Sequence, residues 1–469
     1  MRLLFLLLAA LPAWFTVCGQ DLPPVLGETD YLRLVAEHHP LSVRAELQAD
    51  RARAVLRTAR GGFDPKLYGD LSQKYFEGTR YYSVIEGGVK VPTWFGVELN
   101  AAYERNGGTY LNPEHRVPDS GLFAAGLTVS VGRGLLFDER RAELRRAEIF
   151  RRSSAAERQV QLNDLLYSAG TVYWEWAGAS ALLSIYEEAV EAAARRYEAV
   201  RAGAELGDRP AIDTLEASIL LQNRQLARES ARLELANTVA RLNAFLWLDG
   251  VVPVELEGTT RPPDTSEVTV APILAERPAG ENPELLRTRL KLEQLEIDQR
   301  LQREYLKPRL DVKYNALMAG GVDRPLENLS GNNYKWGVTF EQPILLRKER
   351  GKLQLTGIKL SETQLELSDK IATLDAKLRA AENEANATAT QYDLASKNAG
   401  DYSILLAGER ELFRAGESSL FLVNSREVSY IEARIKQVDL LVKHRKARLA
   451  RNYVTGRFPV LEGVAAPTE

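Results

Sequence analysis

Apolar and polar positions change period along this chain, and the changes divide it into two kinds of segment. Long stretches carry apolar residues three and four apart. Val428, Ile431, Ile435, Val438, Val442 and Leu449 follow that spacing, interrupted by Arg445, and Ile219, Leu226, Leu233 and Ala240 recur every seven. A narrow seam of this kind marks helices that pack lengthwise on other helices. These stretches contain no proline over 119–209, 211–252 and 344–458, as helix interiors require, because proline removes a hydrogen bond and clashes with the preceding turn. About 65 helical residues would extend on the order of 100 Å, far beyond what a compact domain needs.

The proline-bearing segments alternate instead. Leu67, Gly69, Leu71 and Tyr75 alternate with Tyr68, Asp70, Ser72 and Lys74. Phe123, Ala125, Leu127, Val129 and Val131 alternate with small or polar residues. Leu310, Val312, Tyr314, Ala316 and Met318 alternate with Asp311, Lys313 and Asn315, and Tyr334, Trp336, Val338 and Phe340 with Lys335, Gly337, Thr339 and Glu341. Each reads as a strand of about ten residues with one apolar face, the length a tilted strand needs to cross a bilayer. Periodicity alone leaves open a half-buried strand in a soluble sheet.

An internal repeat decides the organisation. His39-Pro40-Leu41 through Pro65-Lys66-Leu67 aligns without a gap on Asn282-Pro283-Glu284 through Pro308-Arg309-Leu310, with Leu47 on Leu290. Each copy runs from an X-Pro helix start to a proline that opens a strand. Further on, Gly126-Leu127-Thr128-Val129 corresponds to Gly337-Val338-Thr339-Phe340, and Arg201-Ala202-Gly203 to Arg414-Ala415-Gly416. The expected division is a secretory signal at 1–19 and a first repeat at 20–248, with strands over about 64–132 and a helical hairpin over about 138–248. A connector follows at 249–281, expected to pack outside the helices. The second repeat covers 282–456, with strands over about 308–342 and a hairpin over about 345–456, before a tail at 457–469. Strands with an apolar face and open edges cannot rest in hydrocarbon unless they close into a barrel, and one chain supplies too few. The predicted fold class is therefore α+β: a transmembrane β-barrel completed by trimerisation and continued by a long coiled-coil helical tunnel.

Composition narrows the function. Sixty-one Lys plus Arg against 64 Asp plus Glu give a net charge of −3, so there is no basic footprint for nucleic acid. One cysteine and four histidines leave little for disulfides, metals or cofactors, and none is expected. His38 and His39 precede a helix start, His115 sits in a loop, and His444 lies on a charged helix face; all four are expected to be solvent-exposed. No phosphate loop, nucleophile elbow or dinucleotide fingerprint is complete, and an enzyme is not expected. Arg2, the apolar run Leu3–Leu11 and the small residues Val17 and Gly19 form a signal with cleavage between Gly19 and Gln20. Cys18 leaves open a lipoprotein reading.

The signal, the duplicated unit and the Arg-Ala-Gly turns resemble the TolC family of outer-membrane efflux proteins over about residues 25–456. The resemblance implies a homotrimer in outer-membrane lipid, with a 12-stranded barrel of four strands per chain and a tunnel closed at its periplasmic end. It also implies an exit duct for a tripartite efflux pump or type I secretion system, joined through a periplasmic adaptor protein to an inner-membrane transporter. The family's tip turns fall on Arg201, Ala202 and Gly203 through Pro210 and Ile212, and on Arg414, Ala415, Gly416, Glu417, Ser418 and Leu420. These residues are the adaptor-docking candidates. Gly203 and Gly416 are equally expected to supply the positive φ of a tight turn, and Ala204–Gly207 reads as a one-turn insertion. Asp213 is either one member of an acidic ring or a helix-start carboxylate. Phe413, Leu420, Phe421, Leu422 and Asn424 are the remaining constriction candidates. The first half holds four strand-like runs where the family unit needs two, so 81–85 and 95–99 are read as a surplus hairpin reaching beyond the membrane. Tyr and Trp concentrate around the strands, as interfacial girdles or through ordinary β-propensity. The reading from another class is a periplasmic coiled-coil scaffold with a soluble β-domain, separated from the first by detergent dependence.

Overall fold

The computed structural model describes residues 23–207, 210–265, 268–273, 282–320 and 330–463. The signal, with Cys18, Gly19 and Gln20, lies outside the described residues, as do residues 464–469 of the tail and part of the connector. Helices α1 (Glu28–His38) and α2 (Pro40–Arg60) lead into strands β1 (Lys66–Phe76), β2 (Thr79–Pro92), β3 (Val97–Gly107) and β4 (Leu122–Gly132). The 67-residue α3 (Glu139–Glu205) and 33-residue α4 (Ala211–Asn243) follow, then a two-residue ladder of β5 (Trp247–Leu248) and β6 (Val252–Pro253). The second half gives α5 (Pro283–Glu304), β7 (Arg309–Ala319), β8 (Tyr334–Glu341), the 68-residue α6 (Arg347–Arg414), the 36-residue α7 (Leu420–Thr455) and α8 (Pro459–Gly463). The halves thus repeat helix, strands, long helix, shorter helix. Asn282 starts α5 by accepting from the Glu284 and Leu285 amides, the cap that an Asn-Pro start encodes.

The chain forms two compact units, and each takes pieces from both repeats: 1–39, 168–273 and 384–449 in one, 40–167, 274–383 and 450–469 in the other. In the first, Tyr31 stacks on Tyr173 at 5.4 Å, and Tyr173 donates to the Leu26 carbonyl at 2.9 Å. Burial of both rings pushes their phenols well above the usual tyrosine range. Ile185, Ala189, Ile431 and Val438 form an apolar seam between α3 and α7. Gly170 and Gly178 admit Leu449 and Val442 at distances where a Cβ would touch their methyls.

Two histidines depart from the sequence expectation. His444 is fully buried and its Nδ1 lies 3.0 Å from the Ala385 carbonyl. His39 is buried against Phe245 and Trp247. Burial lowers the pKa of each. The charged neighbours of His444 in sequence suggested a solvated face, but the inner face of α7 is narrow, and charge one residue away says nothing of it.

The other unit holds the sheet. Among the described residues it has six strands in the order β1-β2-β3-β4-β7-β8, every neighbouring pair antiparallel. This corrects the surplus hairpin: β2 and β3 are integral to the ladder, hydrogen-bonded on both sides. It also departs from the four strands per chain that the resemblance implied. The reason is register. Leu67, Leu71, Ile85, Val89, Val91, Leu99, Ala101 and Tyr103 fall on the same face as Phe123, Leu127, Val129, Leu310, Val312, Tyr314, Trp336, Val338 and Phe340. A one-residue slip at any ladder would break that band.

Candidate functional site

The opposite sheet face is polar and internally bonded. Tyr68 donates to Glu86 at 3.0 Å, and Ser130 to Asp311 at 2.7 Å; Arg309 reaches the same carboxylate at 2.8 Å. The Asn100 amide reaches Asn315 at 2.8 Å over Gly126, where a Cβ would collide with the Tyr314 carbonyl. Apolar side chains on the other face stand exposed: Leu67, Leu71, Tyr75, Trp336, Val338 and Phe340 are all more than half uncovered. The sheet thus has one apolar, uncovered face and one polar, charge-lined face. No helix of the described residues is long and apolar enough to cross a membrane.

The helix-helix turns belong to the other unit. At the first, α3 continues through Gly203 to Glu205, so Arg201, Ala202 and Gly203 are helical rather than turn residues. The positive φ falls on Gly207, at +83°. Of the four residues read as an insertion, Ala204 and Glu205 end α3, and Leu206 and Gly207 form the turn that follows. Arg201 pairs with Glu198 at 2.8 Å and Glu205 at 3.6 Å. Pro210 precedes α4, and its carbonyl accepts from the Asp213 amide at 3.1 Å. Asp213 is thus the acidic residue of the first turn of α4, half-buried, at the end where the helix dipole favours a carboxylate.

At the second turn Gly416 has φ +80°, its amide donates to the Phe413 carbonyl at 3.2 Å, and the Glu417 amide donates to the Leu412 carbonyl at 2.9 Å. This is the Schellman ending of α6. Arg414 pairs with Glu411, and Ala415 and Glu417 are exposed. Ser418 donates to Glu409. Ser419, not singled out from sequence, caps α7 by accepting from the Leu422 amide at 3.4 Å.

The candidates at these turns sort by exposure. Leu420 is 5% exposed and packs with Val200 and Ala217, with Phe413 and Tyr197 against them. It is part of the apolar core of the turn region, unlike the exposed candidates beside it. Phe421, Leu422, Ile212, Leu215 and Leu206 are exposed. Asn424 accepts from Arg196 at 2.7 Å and donates to Glu216 at 3.0 Å. Beneath it lies a cluster that sequence reading missed: Glu427, 3% exposed, takes Arg196 and, at 3.2 Å, Arg410. Glu427 sits on α7 among other charges, and only the packing of α3 and α6 on it distinguishes it from a solvated residue. No group of three or more His, Cys, Asp or Glu among the described residues could hold a metal.

The profile of the outer membrane efflux protein family matches residues 96–246, from the loop before β3 through α4. Over that segment, less than half of the chain, the sequence is similar to that family. No sequence among the curated proteins matches the chain. The structural likeness extends well beyond the matched segment. The Campylobacter jejuni CmeC outer membrane channel superposes with a TM-score of 0.62 at 14% identity, covering 93% of this chain and 88% of that one. The open Neisseria gonorrhoeae MtrE outer membrane channel gives 0.65 at 13% identity, covering 92% and 89%. The Vibrio cholerae outer membrane protein VceC gives 0.62 at 13%, covering 92% and 96%. The chain therefore shares its fold, a sheet with paired long helices, with these solved outer-membrane proteins.

Proposed function

We propose that this protein is the outer-membrane exit duct of a tripartite efflux pump or type I secretion system. It passively conducts substrates handed over by a periplasmic adaptor protein and an inner-membrane transporter, and it performs no chemistry of its own. The observation that carries the reading is the sheet, whose apolar band crosses every strand while its reverse face is polar. The helices add a second argument. Ile219, Leu226 and Leu233 repeat every seven along α4 yet are exposed in the single chain, whereas Ala217, Ala231 and Thr238 take the inward face. On α6, Leu394, Ile404, Leu405 and Leu412 are likewise uncovered. Such seams are satisfied by further copies, giving a homotrimer.

The two turns are the adaptor-docking end. Gly207 and Gly416 set their geometry, and Leu206, Ile212, Leu215, Phe421 and Leu422 offer the apolar surface. Asp213 and Asn424 line the constriction. The test is a strain lacking the gene, complemented with wild type or with Gly416→Pro. Wild type should fractionate with the outer membrane as a heat-sensitive trimer and restore efflux of a fluorescent dye; the variant should keep the trimer and lose efflux. A protein released by osmotic shock and soluble without detergent would overturn the reading.

A further inference from the structure

The six-stranded sheet has a consequence for the exit itself. We infer that β1 of one copy pairs with β8 of the next, so that the trimer closes an 18-stranded barrel with all six strands of each chain in the wall. The inference rests on the trimeric duct proposed above and departs from the twelve strands implied by resemblance.

Three observations converge. First, the apolar band does not skip β2 and β3. Ile85 and Val89 on β2 and Leu99 and Ala101 on β3 sit in register with Leu71 and Leu67 on one side and with Leu127 and Ala125 on the other. A hairpin standing in water would have no reason to extend that band, and one folded away would leave the apolar edge of β4 unpaired in hydrocarbon. Second, the polar face runs through the same strands, since Glu86 on β2 and Asn100 on β3 bond to Tyr68 and Asn315. Third, the sheet is already staggered. Followed across the hydrogen bonds, Leu67 at the base of β1 leads through Val89, Ala101, Ala125 and Ala316 to Tyr334, the first residue of β8. β1 leaves a helix and β8 returns to one, so this row climbs almost a full strand length across the sheet. That climb is the stagger of strands tilted about 35–45° in a closed barrel.

The remaining edges are then the outer edges of β1 and β8. The strand number is even, so these two run in opposite directions, and joining them extends the antiparallel ladder without a fault. A second copy of this chain is the partner that offers the matching edge and the matching greasy face. Barrel diameter grows roughly linearly with strand number, so eighteen strands give an exit about half as wide again as twelve, in the range where barrels hold an aqueous channel.

Electron cryomicroscopy of the wild-type trimer in detergent or nanodiscs counts the strands directly: eighteen supports the inference and twelve overturns it. Cysteine cross-linking reads the same contact. Either reading of Cys18, removed with the signal or lipidated, leaves no free native thiol in the mature chain. Ser72→Cys on β1, combined in turn with Lys335→Cys, Gly337→Cys and Thr339→Cys on β8, should give covalent trimers that survive boiling and collapse on reduction for at least one pair. Cross-linking of the β8 cysteines to Asn100→Cys on β3 instead would show β3 as the closing edge and overturn the inference. Trimers in the membrane with twelve strands would leave the duct reading intact, whereas a soluble monomer would overturn both.

Discussion

Replacing Glu427 by glutamine removes the one negative charge that two arginines share beneath the α6–α7 turn. Glu427 is 3% exposed and Arg196 is 11% exposed, so neither is served by bulk water. Removing one partner of a buried pair costs about 3–5 kcal/mol, because the other charge stays desolvated. The low end applies here: Arg196 keeps the Asn424 oxygen at 2.7 Å, and Arg410, 41% exposed, can turn to solvent. A loss of about 3 kcal/mol multiplies the locally open population by about 150, at tenfold per 1.36 kcal/mol. Hydrogen-exchange mass spectrometry on the purified protein measures that population, and peptides spanning 196–205 and 420–430 should exchange about 100-fold faster while the strand peptides stay unchanged. Arg196→Met combined with Glu427→Gln should recover part of the loss, since the uncompensated charge goes with it. Exchange altered less than about threefold in the single variant would refute the argument, and would mean that water already reaches the pair.

Three further outcomes follow from the same structure. Gly416→Ala places a side-chain-bearing residue at φ +80° in otherwise open space, so its cost is backbone strain alone, about 1–2 kcal/mol, read as a lower melting temperature and earlier proteolysis at the turn. Leu420→Ala should destabilise the turn core by about 2–5 kcal/mol, while Phe421→Ala, at a side chain 68% exposed, should leave thermal unfolding unchanged and weaken adaptor binding in pull-down. His444 and His39 have pKa values below the ordinary histidine value of 6.5, so the unfolded chain binds protons more readily. Their stabilisation is complete above pH 6.5 and declines as pH falls below it towards the lowered folded values; His444→Gln should flatten that part of a stability-against-pH curve.

Much of the architecture was legible because it rests on covalent period and exclusion. Proline cannot sit inside a helix, so the proline-free stretches gave α3, α4, α6 and α7, and alternation gave β1, β4, β7 and β8 with ends within a few residues. The repeat pointed to one unit used twice, and the order helix, strands, long helix, shorter helix recurs in each half. The turns were less legible. Arg-Ala-Gly pointed to Gly203, but a glycine is tolerated inside a helix, and whether it ends one depends on the residues that follow. Here Ala204 and Glu205 continue α3, the Leu206 amide still bonds back to the Ala202 carbonyl, and Gly207 takes the positive φ. Leu420 and Phe421 are adjacent apolar residues, and nothing in their identity says that one is core and the other surface.

The sequence by itself determined period, length and polarity: where helices and strands run, which strand face is greasy, and that a single copy leaves seams and edges uncovered. Tertiary structure alone decided which strands are neighbours, that β2 and β3 lie within the sheet, and that Glu427 and His444 are buried. Local pattern fixes the faces of an element, because side-chain direction follows the backbone repeat. Neighbours and burial are properties of pairs far apart in the chain, and no local period encodes them.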